Sequence, residues 1–199
     1  MTLPQLNTPR LLLRAFAPAD VPHLVALAGN YEVARNTLNI PHPYGEEDAQ
    51  RWVQLTQENF AQQTGYAFAI ELKATGEFIG GIGLTVDGRF DRAEAGYWLG
   101  QPYWGQGLAS EALGAVLQFG FEALALNKIY ATHIAGNPAS GRVMLKNGML
   151  KEGELKQHTK RDGQYHDLWQ YRLTRAEYAS LARPGGPAAT SGLTGQVVG

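Results

Sequence analysis

The residues that decide the fold read EAGYWLGQPYWGQGLASEAL and occupy positions 94–113. The stretch favours a strand at its start, an amphipathic helix at its end, and a loop between them that contains Gly105 and Gly107. Glycine lets a loop adopt positive φ and come close to a ligand. Because the first turn of a helix has unpaired N–H groups and the positive end of the helix dipole, this order predicts a site for an anion such as a pyrophosphate.

The spacing of the loop excludes two familiar phosphate-binding motifs. It has no Gly-Lys-Ser/Thr sequence, as a nucleoside-triphosphate loop requires, and no third glycine for a dinucleotide-binding fingerprint. A lone Gly-x-Gly is also compatible with an ordinary turn. The sequence around the loop therefore has to decide between a turn and a binding loop.

Hydrophobic periodicity and turn residues divide the rest of the chain into strands interrupted by single helices. Strands are predicted at Thr8–Phe16, Tyr66–Leu72, Phe78–Leu84, Ala93–Leu99, Lys128–Ile134, Leu150–His158 and Gln164–Leu173. Helices are predicted after Pro18, after Glu46–Asp48, after Gly107, from Asn137 to Lys146 and from Thr174 to Leu181. This pattern indicates a mixed α and β domain rather than a regular alternation of parallel units.

Composition narrows the class of protein. The chain has 199 residues with 44% hydrophobic residues, so residues 1–183 can form a single globular domain. Residues 184–199 contain five glycines, two prolines and no charged residue, and we predict that they form a disordered tail.

Charge and residue usage exclude several functions. The formal net charge of −1 gives no basic surplus for nucleic acid, and the absence of cysteine excludes disulfides, thiolate nucleophiles and Cys-based zinc sites. The five histidines have no metal-ligand spacing, so we expect no metal. The first residues do not resemble a signal peptide, and no apolar run approaches the ~20 residues that span a bilayer. We therefore expect a cytoplasmic protein that does not bind a membrane.

Four segments, in order, resemble one enzyme family. Thr8–Leu11, the stretch 94–113, Asn137–Ser140 with Asn147-Gly148, and the closing segment with Glu152-Gly153, Asp162-Gly163 and Asp167 are similar to the GNAT acetyltransferase superfamily, in particular its Rim-type branch of ribosomal-protein N-terminal acetyltransferases. The resemblance covers roughly residues 8–175. It implies a GNAT-like fold, α/β of the α+β type, with a central, mostly antiparallel sheet of about six to seven strands.

The resemblance implies direct transfer of an acetyl group from acetyl-coenzyme A to a primary amine. Backbone N–H groups of Gln106–Ala109 would hold the pyrophosphate, and an N–H of the strand Tyr97–Leu99 would bind the oxyanion. Gly96 favours a bulge that splays the strands there, and its alternative is a glycine in an ordinary strand. Trp104 stands where the superfamily favours Arg or Gln. The predicted cofactor-binding residues are Tyr97, Trp98, Leu99, Trp104, Gly105, Gln106, Gly107, Leu108, Ala109, Ser110, Asn137, Arg142 and Lys146.

The resemblance also implies two catalytic residues. Many family members have a tyrosine at the position of Met144, which cannot donate a proton, but in the Rim branch a serine donates to the departing sulfur, and Ser140 matches it. Glu94 matches a family carboxylate that relays the amine proton through water. Alternatively, Ser140 is an ordinary polar residue in the first turn of a helix, and Glu94 is a solvated acid at the edge of a strand. Asn137 can likewise be a plain helix N-cap, and Arg142 and Lys146 can be solvated.

The acceptor amine is open at this stage. A protein N-terminus is the first expectation, and a small amine such as an amino acid, a polyamine or an aminoglycoside is the second. A coenzyme-A-binding sensor without turnover is the third, favoured by Met144. We expect the acceptor site to form from the segments 30–45 and 156–165, and a homodimer is the default oligomer.

Overall fold

The computed structural model describes residues 2–181, so the predicted disordered tail at 184–199 lies outside the described residues. The strands are β1 (Leu6–Asn7), β2 (Leu11–Arg14), β3 (Gly65–Leu72), β4 (Glu77–Asp87), β5 (Arg92–Leu99), β6 (Lys128–Ile134), β7 (Leu150–Arg161) and β8 (Gln164–Thr174). The helices are α1 (Val21–Ala28), α2 (Tyr31–Ala34), α3 (Glu46–Ala61), α4 (Leu108–Gln118), α5 (Pro138–Lys146) and α6 (Arg175–Leu181).

Within residues 2–181 the strands form one sheet of eight in the order β1-β2-β3-β4-β5-β6-β8-β7. The pair β5–β6 is parallel, and the other neighbouring pairs are antiparallel. The predicted mixed, mostly antiparallel sheet flanked by helices is therefore confirmed. It has one strand more than the expected upper number, because Leu6–Asn7 is too short to show a period of two.

Helices cover both faces of the sheet. The larger core lies where α4 and α5 pack on one face, and it contains Leu113, Val116 and Met144. The smaller core lies where α1 and α3 pack on the other face, around Leu24 and Val53. Because side chains of a strand alternate between faces, β5 contributes to both cores.

Two details of the sequence prediction were wrong. The strand predicted at Thr8–Phe16 begins only at Leu11, because Thr8–Arg10 form the turn of a hairpin in which the Thr8 N–H donates to Leu11 O at 3.0 Å. The bulge expected at Gly96 is also absent, since β4 and β5 pair without a register shift from Gly80–Leu99 to Asp87–Arg92.

Candidate active site

The site lies where β5 and β6 separate. The two strands pair only between Arg92–Glu94 and Lys128–Tyr130, while β5 remains paired with β4, and β6 with β8, on their outer sides. The gap opens into a cleft of about 1480 Å³. This volume exceeds the ~300–1,000 Å³ of an ordinary small-molecule pocket, so the cleft can accommodate two ligands together. Divergence of the strands thus supplies the opening that a bulge was expected to supply.

The glycine-rich loop forms one wall of the cleft. Gly105 and Gly107 have φ of +74° and +77°, the left-handed region that favours glycine. Gly107 is the N-cap of α4, and the Glu111 N–H is the first to donate back, to Gly107 O at 3.1 Å. The N–H groups of Leu108, Ala109 and Ser110 therefore precede the first intrahelical bond, as an anion site requires.

Side chains of the loop fix its shape. The Trp104 indole donates to Leu99 O at 2.8 Å, which ties the loop to the end of β5. The Gln106 amide donates to Pro102 O at 3.0 Å. Of the predicted cofactor-binding residues, Gln106 alone does not line the cleft. Trp104 thus has a structural contact at the position where the superfamily favours Arg or Gln.

Thr8 and Arg10, near the start of the chain, bind Glu111 and hold this loop in place, and we call these contacts the clasp. No local sequence pattern predicts them. The Glu111 carboxylate accepts from the Thr8 hydroxyl at 2.6 Å, the Arg10 N–H at 2.8 Å and Arg10 Nε at 2.6 Å. Arg10 Nη1 also donates to Gln106 O at 3.0 Å. Burial disfavours the Glu111 charge, but these hydrogen bonds outweigh it and hold the pKa of Glu111 below its ordinary value.

Ser140 lies in the first turn of α5, opposite the glycine loop. Asn137 is the N-cap of this helix, and its side-chain oxygen accepts from the Ser140 N–H at 3.3 Å. The Tyr97 hydroxyl lies 2.8 Å from Ser140 Oγ and donates to the Ser140 carbonyl at 3.0 Å. Met144 is buried in the larger core with 1% exposure. Its position is explained by packing, and the two hydroxyl groups that contact each other beside α5 belong to Ser140 and Tyr97.

Glu94 lies at the point where β5 and β6 part. It accepts a hydrogen bond from the Thr132 hydroxyl at 2.9 Å and lines the cleft. Alternation along β5 places Glu94 and Trp98 on the face covered by α1 and α3, and Tyr97 on the face covered by α4 and α5. Trp98 packs on Gly81, where any Cβ would lie 2.9 Å from the indole nitrogen.

The two predicted acceptor segments meet. All six residues of the segment 36–41 line the cleft, and so do His158 and Thr159 of β7. The Arg161 guanidinium donates to Thr37 O and, at 2.9 Å, to Ile40 O. The tip of the β7–β8 hairpin is thereby joined to the segment before α3, above the face that carries Glu94.

Two cations at the cleft wall come from α5. Arg142 and Lys146 are exposed, line the cleft and are four residues apart on the helix. Neither side chain has a salt bridge among residues 2–181. Across the same part of the chain, no cluster of metal-ligating side chains is present, and no helix has the length and apolarity to cross a bilayer.

Comparisons with known proteins agree with this geometry. Residues 10–150 match the family model of the Acetyltransferase (GNAT) domain. The chain is 34% identical to the uncharacterized N-acetyltransferase YoaA of Bacillus subtilis, over 86% of this chain and 97% of that protein. It is 32% identical to the ribosomal-protein-serine acetyltransferase of Escherichia coli, over 69% and 76%. A solved structure of RimL, a ribosomal L7/L12 alpha-N-protein acetyltransferase in complex with coenzyme A, aligns with TM-score 0.79 and 22% identity, over 86% and 98%.

The matched region is more than half of the chain, so the chain belongs to the GNAT acetyltransferase family. The resemblance to the Rim-type branch is borne out by the ribosomal-protein relatives. The protein is an acetyl-coenzyme-A-dependent N-acetyltransferase.

Proposed function

We propose that this enzyme transfers the acetyl group of acetyl-coenzyme A directly to the α-amine of a protein N-terminus. The observation that carries the proposal is the gap between β5 and β6. The glycine loop and α5 lie on one face of the sheet at this gap, and the segment 36–41 with Glu94 lies at the other. A thioester bound on the first side and an amine bound on the second can therefore meet in the opening.

Donor binding follows from the loop and from strand alternation. In place of the predicted Gln106–Ala109, the N–H groups of Leu108–Ser110 would hold the pyrophosphate, because Gln106 does not line the cleft. Arg142 and Lys146 supply positive charge near the pyrophosphate. On β5, the Gly100 N–H bonds Ile79 on β4, whereas Leu99 O bonds the Trp104 indole on the other side. By alternation, the N–H groups of Tyr97 and Leu99 face the gap and that of Trp98 faces β4. Tyr97 or Leu99 is thus the oxyanion donor, and Trp98 is not.

The reaction needs no covalent intermediate. The amine nitrogen attacks the thioester carbon, and the collapse of the oxyanion breaks the carbon–sulfur bond. Ser140 donates a hydrogen bond to the departing sulfur. Glu94 accepts the amine proton through a water molecule at the opposite face.

Charge at the cleft favours a single α-amine over a polycation. The acidic side chains that line it are Asp48 and Glu94, against the basic Arg51, Arg142 and Lys146. Asp48 already accepts from the Gly45 N–H at 2.9 Å at the start of α3. An α-amine with pKa ~7.8 is about 14% neutral at pH 7, whereas a lysine at ~10.4 is about 0.04% neutral, so an α-amine needs less help from a base.

The competing acceptors are less well supported. A polyamine or aminoglycoside needs an acidic cleft, and the acidic cluster Glu46–Asp48 contributes only Asp48 to the lining. A sensor without turnover was favoured by Met144, whose burial in the core gives it a packing role. A cytoplasmic location and a homodimer stay predictions.

The test is thiol release from acetyl-coenzyme A against N-terminal peptides, amino acids, polyamines and aminoglycosides. We expect turnover with the peptides. Turnover with small amines only would show that the enzyme is an acetyltransferase of small amines and not of protein N-termini. Binding of coenzyme A without turnover of any amine would favour the sensor.

A further inference from the structure

The Tyr97 side chain is not explained by the proposed roles, which use only its backbone. Its ring packs against the larger core, and its hydroxyl reaches α5 and contacts both oxygen atoms of Ser140. We infer that Tyr97 is a positioning residue. Its hydroxyl holds Ser140 Oγ and strengthens the Ser140 hydroxyl as a hydrogen-bond donor to the sulfur of coenzyme A. This inference rests on the proposed role of Ser140.

The hydrogen bonds of the pair can be assigned proton by proton. Each hydroxyl has one proton. Without a ligand, the Tyr97 proton goes to the Ser140 carbonyl at 3.0 Å, and the Ser140 proton can bridge the 2.8 Å to the tyrosine oxygen. This arrangement leaves the Ser140 hydroxyl directed away from the cleft.

A sulfur anion in the cleft favours the other arrangement. The Ser140 hydroxyl then donates a hydrogen bond to the sulfur, and the Tyr97 hydroxyl turns its hydrogen bond from the Ser140 carbonyl to Ser140 Oγ. The result is a chain of two hydrogen bonds, from tyrosine to serine to sulfur, in which each bond polarises the next. No bond to hydrogen breaks in this step, so the charge stays on the sulfur and is stabilised there.

The buried Tyr97 phenol acts as a hydrogen-bond donor and not as an acid that gives up its proton, for the following reason. Burial raises the pKa of the Tyr97 phenol, so the phenol keeps its proton while it donates. The other groups around the pair are Tyr171 of β8, His133 of β6 and the exposed Arg142 of α5. Burial lowers the pKa of His133, which leaves it neutral. These groups are the same in every variant below except the Tyr171 control, so differences between variants report the two hydroxyls.

The experiment titrates the thiol of bound coenzyme A. Because the chain has no cysteine, this thiol is the only one in the complex. Its ionisation is followed as the difference in ultraviolet absorbance between complexes with coenzyme A and with desulfo-coenzyme A, which cancels the absorbance of the nine tyrosines and the adenine. We expect Ser140→Ala to raise the pKa of the bound thiol by about one pH unit, the value of one hydrogen bond to a charged group. We expect Tyr97→Phe to raise it in the same direction. In the double variant, Tyr97→Phe should add nothing further.

Tyr171→Phe is the matched control. In the wild type, the Tyr171 hydroxyl lies 3.1 Å from the position that a Cβ on Gly141 would take. It has no hydrogen bond to Ser140, unlike the hydroxyl of Tyr97. This variant should leave the pKa of the thiol unchanged, and thermal unfolding checks that all variants fold. A shift with Ser140→Ala but none with Tyr97→Phe, or shifts that add in the double variant, overturns the inference alone. No shift with Ser140→Ala overturns the proposed role of Ser140 as well.

Discussion

At the scale of single residues, the Arg10 side chain compensates the negative charge of the Glu111 carboxylate beside the proposed pyrophosphate site. Glu111 lies in the first turn of α4, beside the N–H groups proposed to hold a pyrophosphate. Its negative charge would repel the ligand. Arg10 pairs with it at 2.6 Å and also bonds the loop carbonyl of Gln106. The pair therefore neutralises the carboxylate and fixes the loop in one step.

We predict that Arg10→Ala weakens binding of coenzyme A about tenfold, because the variant leaves Glu111 uncompensated next to the pyrophosphate. Calorimetric titration of coenzyme A measures this directly. Arg92→Ala is the control, since Arg92 forms a comparable exposed ion pair with Asp87 at 3.0 Å at the far end of β5. Equal affinities for the Arg10 and Arg92 variants would contradict the role of the clasp.

Ser140 is predicted to contribute modestly to rate. A thiol with the ordinary pKa of ~8.5 is a fair leaving group without assistance, so Ser140→Ala should lower kcat on the order of tenfold rather than abolish it. Ser180→Ala on α6 is the matched control, because its exposed hydroxyl donates to Ala176 O at 3.0 Å and has no other partner within residues 2–181. Steady-state rates with a peptide acceptor check the prediction. An unchanged kcat in Ser140→Ala would remove the assignment.

At the scale of elements, the glycine loop can be tested by charge alone. Gly105 has positive φ and no atom near an added Cβ, so Asn and Asp, which tolerate this conformation, should both fit there. The two side chains differ mainly by one negative charge. We predict that Gly105→Asp binds coenzyme A at least about tenfold more weakly than Gly105→Asn, by repulsion of the phosphates. Similar affinities would place the anion elsewhere.

The junction of β2 with α1 depends on a buried charge. Asp20, with 3% exposure, accepts from both terminal nitrogens of Arg14 at 2.8 Å and from the Ala17 N–H. Burial disfavours the Asp20 charge, but the hydrogen bonds of Arg14 and Ala17 outweigh it and lower the pKa of Asp20. We predict that Asp20→Asn reduces the free energy of unfolding by about 3 kcal/mol at pH 7.

The sign of the pH dependence follows from this lowered pKa. The stability from Asp20 is complete above its unfolded pKa of ~3.9 and is lost as pH falls through the folded value. Denaturant titrations of the wild type and Asp20→Asn should therefore converge in acid. The exposed Asp87→Asn is the control, with a change below about 0.5 kcal/mol. A difference that widens in acid contradicts the assignment.

The sequence predicted most of the elements but few contacts between them. Periodicity located α4 and β3–β8, because their apolar faces are long enough to repeat. It could not find β1, which has two residues. The Arg10–Glu111 clasp joins residues 101 apart, and the Tyr97–Ser140 contact joins residues 43 apart. Neither has a local pattern, so both required the structure. The bulge expected at Gly96 is absent, because the opening comes instead from the divergence of β5 and β6.

At the scale of the whole molecule, the proposed function places the two substrates on opposite faces of the sheet. The parallel pair β5–β6 ends early, and antiparallel partners on both outer sides hold the strands apart. The donor loop and α5 then lie on one face, and the Arg161-linked segment 36–41 lies above the other. The proposed direct transfer through this opening in the sheet would need no covalent intermediate.

The measurement that tests the central claim most directly uses two peptides of one sequence that contains lysine. One has a free α-amine and the other has this amine blocked. Thiol release from acetyl-coenzyme A is followed, and mass spectrometry locates the acetyl group. The proposed function predicts release with the free peptide only and an acetyl group on its α-nitrogen. Equal release with the blocked peptide, or acetylation of lysine, would contradict it.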